Sequence, residues 1–262
     1  MRAVILAAGS STRLRPFTDF LPKSLLPVDG VPMLERSIRN LMTVGICDFT
    51  IVTGFEEARL RGAVREWFPT LPVEFLCNRD YATTNNADSL LLARPAVGGD
   101  PFLLLDSDIV YDFQIAGRAL AAGETCLALR PSRSLGAEEV KVEMADDGRV
   151  LAIGKEVHPA CAAGESIGIE WFTAEASTAL FETLERRIVG QGLVGEYYEA
   201  AFQEMIEAGC AMRAFDIEPY YASEVDTAED LEAVEAALAA ASGRFAVPGT
   251  PGGLRRSRVI QS

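Results

Sequence analysis

Residues 6–34 read LAAGSSTRLRPFTDFLPKSLLPVDGVPML, an apolar run that breaks into small residues and then sets two cations among prolines. Ala7, Ala8 and Gly9 are small enough to let backbone approach a ligand closely, and N–H groups exposed in such a loop can cradle phosphates. Arg13 and Lys23, which follow, would then neutralise those phosphates. The stretch is not the dinucleotide fingerprint GxGxxG, because its second and third positions would fall on Ser11 and Leu14. No Walker loop is present either. A second element, LLLDSDIVY, ends an apolar run on Asp106 and Asp108, and acids at the end of a parallel strand stand where open α/β sheets bind ligands. A third, Glu224-Val225-Asp226-Thr227, precedes the last helical pattern. Both acidic elements have a plain alternative as helix N-caps.

Composition narrows the chemistry. With one histidine, His158, the chain has neither a Ser-His-Asp triad nor Cys/His zinc spacing, so any metal must be held by carboxylates. The five cysteines (Cys47, Cys77, Cys126, Cys161 and Cys210) lie far apart without a CxxC pair, which argues for reduced thiols and a cytoplasmic address. A formal net charge of -14 repels nucleic acid and anionic membranes. Within residues 1–40, however, six cations stand against three acids, a local surplus that could hold an anionic small molecule. The chain uses 21 arginines but only Lys23, Lys141 and Lys155, which makes the lysines candidates for places that require a compact ammonium rather than a planar fork, with compositional chance as the plain alternative for any one of them.

These residues need a scaffold, and the hydrophobic pattern supplies one. Continuous apolar runs at 2–8, 49–54, 73–77, 102–106 and 125–130 read as strands buried on both faces. Helical patterns at about 33–45, 56–67, 87–94 and 112–122 alternate with them, which predicts βαβ crossovers and a mostly parallel central sheet flanked by helices. The opening run has a signal-peptide look, but Arg13, Arg15 and Asp19 follow at once and a buried first strand explains it better. No run approaches the ~18 apolar residues of a membrane span. Beyond 135 two strands meet at the turn Asp146-Asp147-Gly148, a strand at 166–172 leads to helices at 174–188 and 196–208, and a strand at 213–217 precedes a helix at 227–241. We expect one domain over 1–242 and a flexible Gly/Pro/Arg tail over 243–262.

The first stretch resembles the N-terminal signature of the nucleoside-triphosphate transferase family, LAAGxGxR...PKxLxPVxGxPML, with Ser11 where a second glycine is frequent. The resemblance implies a Rossmann-like, GT-A type nucleotidyltransferase fold, with Leu6, Ala8 and Gly9 beside the nucleotide and Arg13 and Lys23 as catalytic cations. It also implies Mg²⁺ held by Asp108 and by Asp226 with Glu224, a ligand set that suits this ion's preference for oxygen donors. The segment TTNNADSLLLA (83–93) is similar to phosphocholine cytidylyltransferases and assigns Asn86 and Ser89 to a pyrimidine base. By the same likeness Lys141 and Lys155 would meet a phosphoryl group. Glu165, Tyr197 and Tyr198, with Glu196 and Glu199 nearby, would surround an acceptor amine. The implied activity moves CMP from CTP to a small phosphorylated or phosphonate acceptor of the phosphocholine or 2-aminoethylphosphonate class, with loss of pyrophosphate. The alternatives are a sugar-1-phosphate nucleotidyltransferase and a non-catalytic nucleotide-binding domain.

Overall fold

A computed structural model of the chain describes residues 1–132 and 134–240; the expected tail at 243–262 lies outside the described residues. The first half runs β1 (Arg2–Ala7), α1 (Met33–Thr43), β2 (Asp48–Thr53), α2 (Glu57–Trp67), β3 (Val73–Cys77), α3 (Asn86–Leu92) and β4 (Phe102–Asp106). It continues through β5 (Ile109–Tyr111), α4 (Phe113–Ala121) and β6 (Cys126–Pro131). The second half adds β7 (Lys141–Met144), β8 (Val150–Gly154), β9 (Gly164–Phe172), α5 (Ala174–Glu185), α6 (Glu199–Glu207), β10 (Arg213–Asp216), β11 (Ala222–Glu224) and α7 (Ala228–Ala240).

The four strands β3, β2, β1 and β4 pair in that order and all in parallel. Alternate residues of β1 explain its unbroken apolar sequence. Ala3, Ile5 and Ala7 face one core with α1, α2 and α4, whereas Val4 and Leu6 face another with α3, α5 and α6. In α1 the core side is read directly from Leu34, Ile38 and Leu41, spaced by four and three residues. Burying one such side chain contributes roughly 1.5–3 kcal/mol. The sheet then continues through β9, antiparallel to β4, and through β6, antiparallel to β9 and parallel to β10.

Because β1 lies between β2 and β4, the strand order reverses at the β1/β4 boundary. Open sheets of this kind form a crevice outside the carboxyl ends of the strands at that reversal. The loop after β1 begins at Ala8 and the Asp106-Asp108 segment closes β4, so both open into the same crevice.

Two features depart from the sequence expectation. The helix expected at 174–188 is α-helical only to Glu185 and widens into a π turn at Arg186–Gly190, and the next helix begins at Glu199 rather than 196. More consequential is a small antiparallel sheet of β5 and β11. It pairs Glu224 with Ile109, and the Val225 N–H donates to the Asp108 carbonyl at 3.0 Å. Backbone pairing thus carries Asp226 alongside Asp108. Val234 and Leu238 of α7 pack with Leu14, Leu26, Val28 and Val225, which ties the N-terminal loop to the last helix.

Candidate active site

A cavity of about 480 Å³ occupies the crevice, a size usual for small-molecule sites. Lys23 forms its electrostatic centre. Pro22 turns the chain into the short 3₁₀ segment Lys23–Leu25, whose turn buries the lysine stem and leaves the ammonium facing the acids. Its Nζ lies 2.7 Å from Asp108 Oδ2 and also bonds Asp226 Oδ1. Arg13 Nη2 reaches the other Asp226 oxygen at 2.8 Å, from a guanidinium that is 58% exposed.

Neither acidic element is consumed by capping. Helix α4 is capped by Asp112, which accepts from the Gln114 N–H at 3.0 Å. At the start of α7, Thr227 and Asp230 satisfy each other: Asp230 Oδ2 accepts from the N–H groups of Asp226 and Thr227, and Thr227 Oγ1 accepts from the Asp230 N–H. The carboxylates of Asp108 and Asp226 are left for cations.

The electrostatics separate two tiers of acids. Burial pushes the Asp226 carboxyl up, but Lys23 and then Arg13 outweigh it and hold the group below its ordinary range. Burial likewise opposes the Lys23 ammonium, and Asp108 and Asp226 more than offset it, so its pKa is raised. Behind this front, burial and the charges of Asp108 and Asp226 push Glu224 up to about 8. Burial first, then Asp108, raises Asp106 well above the carboxylate range. Glu170 is raised well above that range by burial and by Glu199, and burial lifts Glu199 to about 7. The Tyr198 hydroxyl donates to Asp106 Oδ2 at 2.8 Å. Gly168 closes this region from β9: it has φ +67°, and a Cβ there would meet Asp106 Oδ2 at 2.6 Å.

Most residues expected from sequence line this one cavity. Leu6, Ala8, Gly9, Arg13, Lys23, Asn86, Ser89 and Asp108 do so from the first half of the chain, and Lys155, Glu165, Tyr197, Glu224 and Asp226 from the second. Asn86 uses its carboxamide oxygen to accept from the Tyr198 N–H at 2.9 Å, while Ser89 accepts from Asn78 Nδ2 at 3.0 Å. The cap of α3 is Asn85, which accepts from the Asn86 N–H. Gly54 supports the β1 loop at close range: the Phe55 N–H donates to the Ala8 carbonyl at 3.0 Å, and a Cβ on Gly54 would lie 2.6 Å from that oxygen.

Two expectations are corrected. Lys141 is not in the cavity wall; it is 1% exposed and its ammonium donates to the carbonyls of Gly136 and Glu139 at 3.0 and 3.1 Å. A buried ammonium must be paired, and a loop folding over it supplies the oxygens while presenting Glu138 and Glu139 to the cavity. Tyr198 belongs to the core, its ring tilted against Phe202 with centroids 5.0 Å apart in an aromatic row that continues to Phe172 and Phe102. Its neighbour Tyr197 is the one that faces the cavity, with Lys155 Nζ 4.6 Å above its ring. Glu196 pairs with Arg187 at 2.7 Å. Of the six cations within residues 1–40, Arg13 and Lys23 reach the cavity; Arg2, Arg15 and Arg39 pair with acids elsewhere, and Arg36 donates to the Val28 carbonyl.

Sequence reasoning passed over Arg130 and Asn78. Arg130, the last residue but one of β6, lines the cavity and bonds Glu165 Oε1 at 2.6 Å through Nη2. Asn78 follows β3, is buried, and bridges Thr84 and Ser89 at 3.0 Å each. Both are the first polar residue at the carboxyl end of a strand, the same signal that located Asp106. Among the described residues no three His, Cys, Asp or Glu side chains form a ready-made metal cage. Mg²⁺ needs no such cage, since it takes one or two carboxylates and completes its shell with water and substrate phosphates. Also among them, no helix is long and apolar enough to cross a membrane, and all five thiols are free.

A family profile described as "MobA-like NTP transferase domain" matches residues 3–193. The CMP-5'-(3-aminopropyl)phosphonate synthase of Streptomyces rubellomurinus is 34% identical over 246 residues, which cover 88% of this chain and 37% of that protein. A bifunctional IPC transferase and DIPP synthase of Aquifex aeolicus is 27% identical, over 88% of this chain and 50% of that one. The chain therefore spans half or less of the length of these two relatives. The CTP:phosphocholine cytidylyltransferase of Streptococcus pneumoniae superposes with a TM-score of 0.72 at 22% identity, covering 90% of this chain and 98% of that chain. This likeness shows the Rossmann-like, GT-A type nucleotidyltransferase fold, with its mostly parallel sheet flanked by helices.

Proposed function

Since the chain belongs to the MobA-like NTP transferase family, we propose that it transfers CMP from CTP to a small phosphorylated or phosphonate acceptor and releases pyrophosphate. The observation that carries this reading is the Lys23 ammonium, seated between Asp108 and Asp226 under the loop of Ala8 and Gly9. A cationic turn and two acids at the strand-order reversal suit a triphosphate better than a neutral ligand. The choice of CTP is supported by the name of the relative at 34% identity and by Asn86 and Ser89 in the cavity wall.

Asp108 and Asp226 converge on one cation, and Glu224 stands beside them, an all-oxygen donor set of the kind Mg²⁺ takes from proteins. When bound, that ion supplies charge neutralisation to the triphosphate oxygens. Arg13, largely exposed and with a planar fork, is suited to phosphate oxygens that displace its bond to Asp226. Lys23 holds a fixed point charge beside them. On the acceptor side Arg130 and Lys155 offer cations to a phosphoryl or phosphonyl group. An acceptor oxygen attacks the α-phosphorus, the bond to the β-phosphate oxygen breaks, and pyrophosphate leaves. The nucleophile needs no general base, because a second phosphate pKa near ~6 leaves it largely ionised at neutral pH. Catalysis then rests on positioning and charge.

The test is a matrix of four nucleoside triphosphates against aminoalkyl phosphonates, phosphoethanolamine, phosphocholine and several sugar 1-phosphates, reading pyrophosphate with and without Mg²⁺. Metal-dependent release with CTP and a small acceptor is expected. Release only with a sugar 1-phosphate, or none with any pair, would defeat the reading.

A further inference from the structure

Glu199 and Glu170 stand apart from the acids that Lys23 gathers. Each is more than nine-tenths buried, and each keeps one carboxyl oxygen, Oε2, without a hydrogen-bond partner. Glu199 forms part of the cavity wall. Glu170 lies on β9, where the Ser166 hydroxyl, itself in the wall, donates to its other oxygen at 3.1 Å. A buried acceptor left without a donor is costly, and a pair of them beside a cavity points to a donor that arrives with the ligand.

The surroundings restrict what that donor can be. Lys155 is the cation whose field reaches Glu199, yet its ammonium stands over the Tyr197 ring and 3.3 Å from Glu138 and leaves Glu199 Oε2 without a donor. A quaternary ammonium has no N–H and is recognised by open aromatic faces. Here the Tyr197 face is covered by Lys155, Tyr198 is turned into the core, and Tyr81 packs against Gly54 and Phe55 beside the Ala8 loop. A primary ammonium brings three N–H donors and a charge, which the two open oxygens can accept.

We infer that the acceptor carries a primary ammonium, received by Glu199 with Glu170 behind it, so that the preferred substrates are aminoalkyl phosphates or phosphonates rather than their trimethylated counterparts. This rests on the proposed transfer to a small phosphorus acceptor and names its class. The test compares 2-aminoethylphosphonate, its trimethylammonium counterpart and ethylphosphonate, with CTP turnover read as pyrophosphate and binding read by calorimetry. In the wild-type protein the primary amine is expected to exceed both others in kcat/KM by roughly 10- to 100-fold, the range of a buried charged hydrogen bond. Glu199→Gln keeps the shape and removes the charge. It is expected to collapse that preference toward unity, through KM rather than kcat, and Glu170→Gln to do so in part. Thermal melts establish that both variants are folded, and the wild-type series decides the question without them. Equal use of the trimethylated or amine-free acceptor, or a preference unchanged in Glu199→Gln, overturns the inference while leaving cytidylyl transfer intact. If no acceptor yields pyrophosphate, the transfer reading fails, and calorimetry with the same three compounds still decides the amine subsite.

Discussion

Replacing Lys23 by Met removes the ammonium and keeps most of the stem. At 2.7 Å the attraction between Lys23 and Asp108 amounts to about 6 kcal/mol at an effective dielectric constant of about 20. Most of this offsets the desolvation of a side chain that is 7% exposed. Deleting one partner of a fully buried pair costs about 3–5 kcal/mol. Asp108 and Asp226 retain 30% and 28% exposure, so water partly rehydrates them and the expected loss is about 2–3 kcal/mol. In a domain of this size that lowers Tm by roughly 4–12 °C. The two acids then face each other with no cation between them. Millimolar Mg²⁺ should therefore raise the Tm of Lys23→Met by several degrees and that of the wild type, without nucleotide, far less. Scanning calorimetry of both proteins with and without Mg²⁺ measures each quantity. A variant that melts with the wild type, or one that Mg²⁺ does not favour, would refute the picture of one ammonium standing where a divalent ion binds.

Asp108→Asn is expected to abolish pyrophosphate release while far-UV circular dichroism keeps the folded signature of the wild type; retained turnover removes Asp108 from the site. Ser11 adopts φ 45° and ψ 65°, a left-handed conformation that costs a non-glycine residue roughly 1–2 kcal/mol. Part of that gain is lost to glycine's larger unfolded-state entropy, so Ser11→Gly should stabilise by about 0.5–1 kcal/mol in urea titrations, and a destabilised variant would contradict the loop's conformation. Burial lifts the Glu199 carboxyl from 4.5 to about 7 in the folded protein, so the fold binds its proton more tightly than the unfolded chain does. The associated stability is complete below about pH 4.5, is lost as pH rises through 7, and amounts to roughly 3 kcal/mol in all. Ligand-free melts should accordingly fall between pH 5 and 8, with a shallower fall in Glu199→Gln; identical slopes would place the charge elsewhere.

What the sequence by itself determined is what travels along the chain. Apolar runs with a period of two or none located β1 to β4 within a residue or so, because burial on both faces demands unbroken hydrophobicity. The Ala8-Gly9 loop, Arg13, Lys23 and Asp108 were legible as well, since strand ends at a strand-order reversal need small, charged or polar residues. The three lysines kept in an arginine-rich chain do hold specific partners, though only two of them reach the cavity. The tertiary structure alone decided the rest. It brought Asp226 to Lys23 through the β5/β11 pairing, turned Lys141 onto loop carbonyls, divided Tyr197 from Tyr198, and left Glu170 and Glu199 buried with open oxygens. None of these has a local signature, because strand pairing, loop closure and desolvation depend on which distant segment arrives alongside. A one-residue change of strand register or helix start would exchange the wall residue for the core residue at each of them.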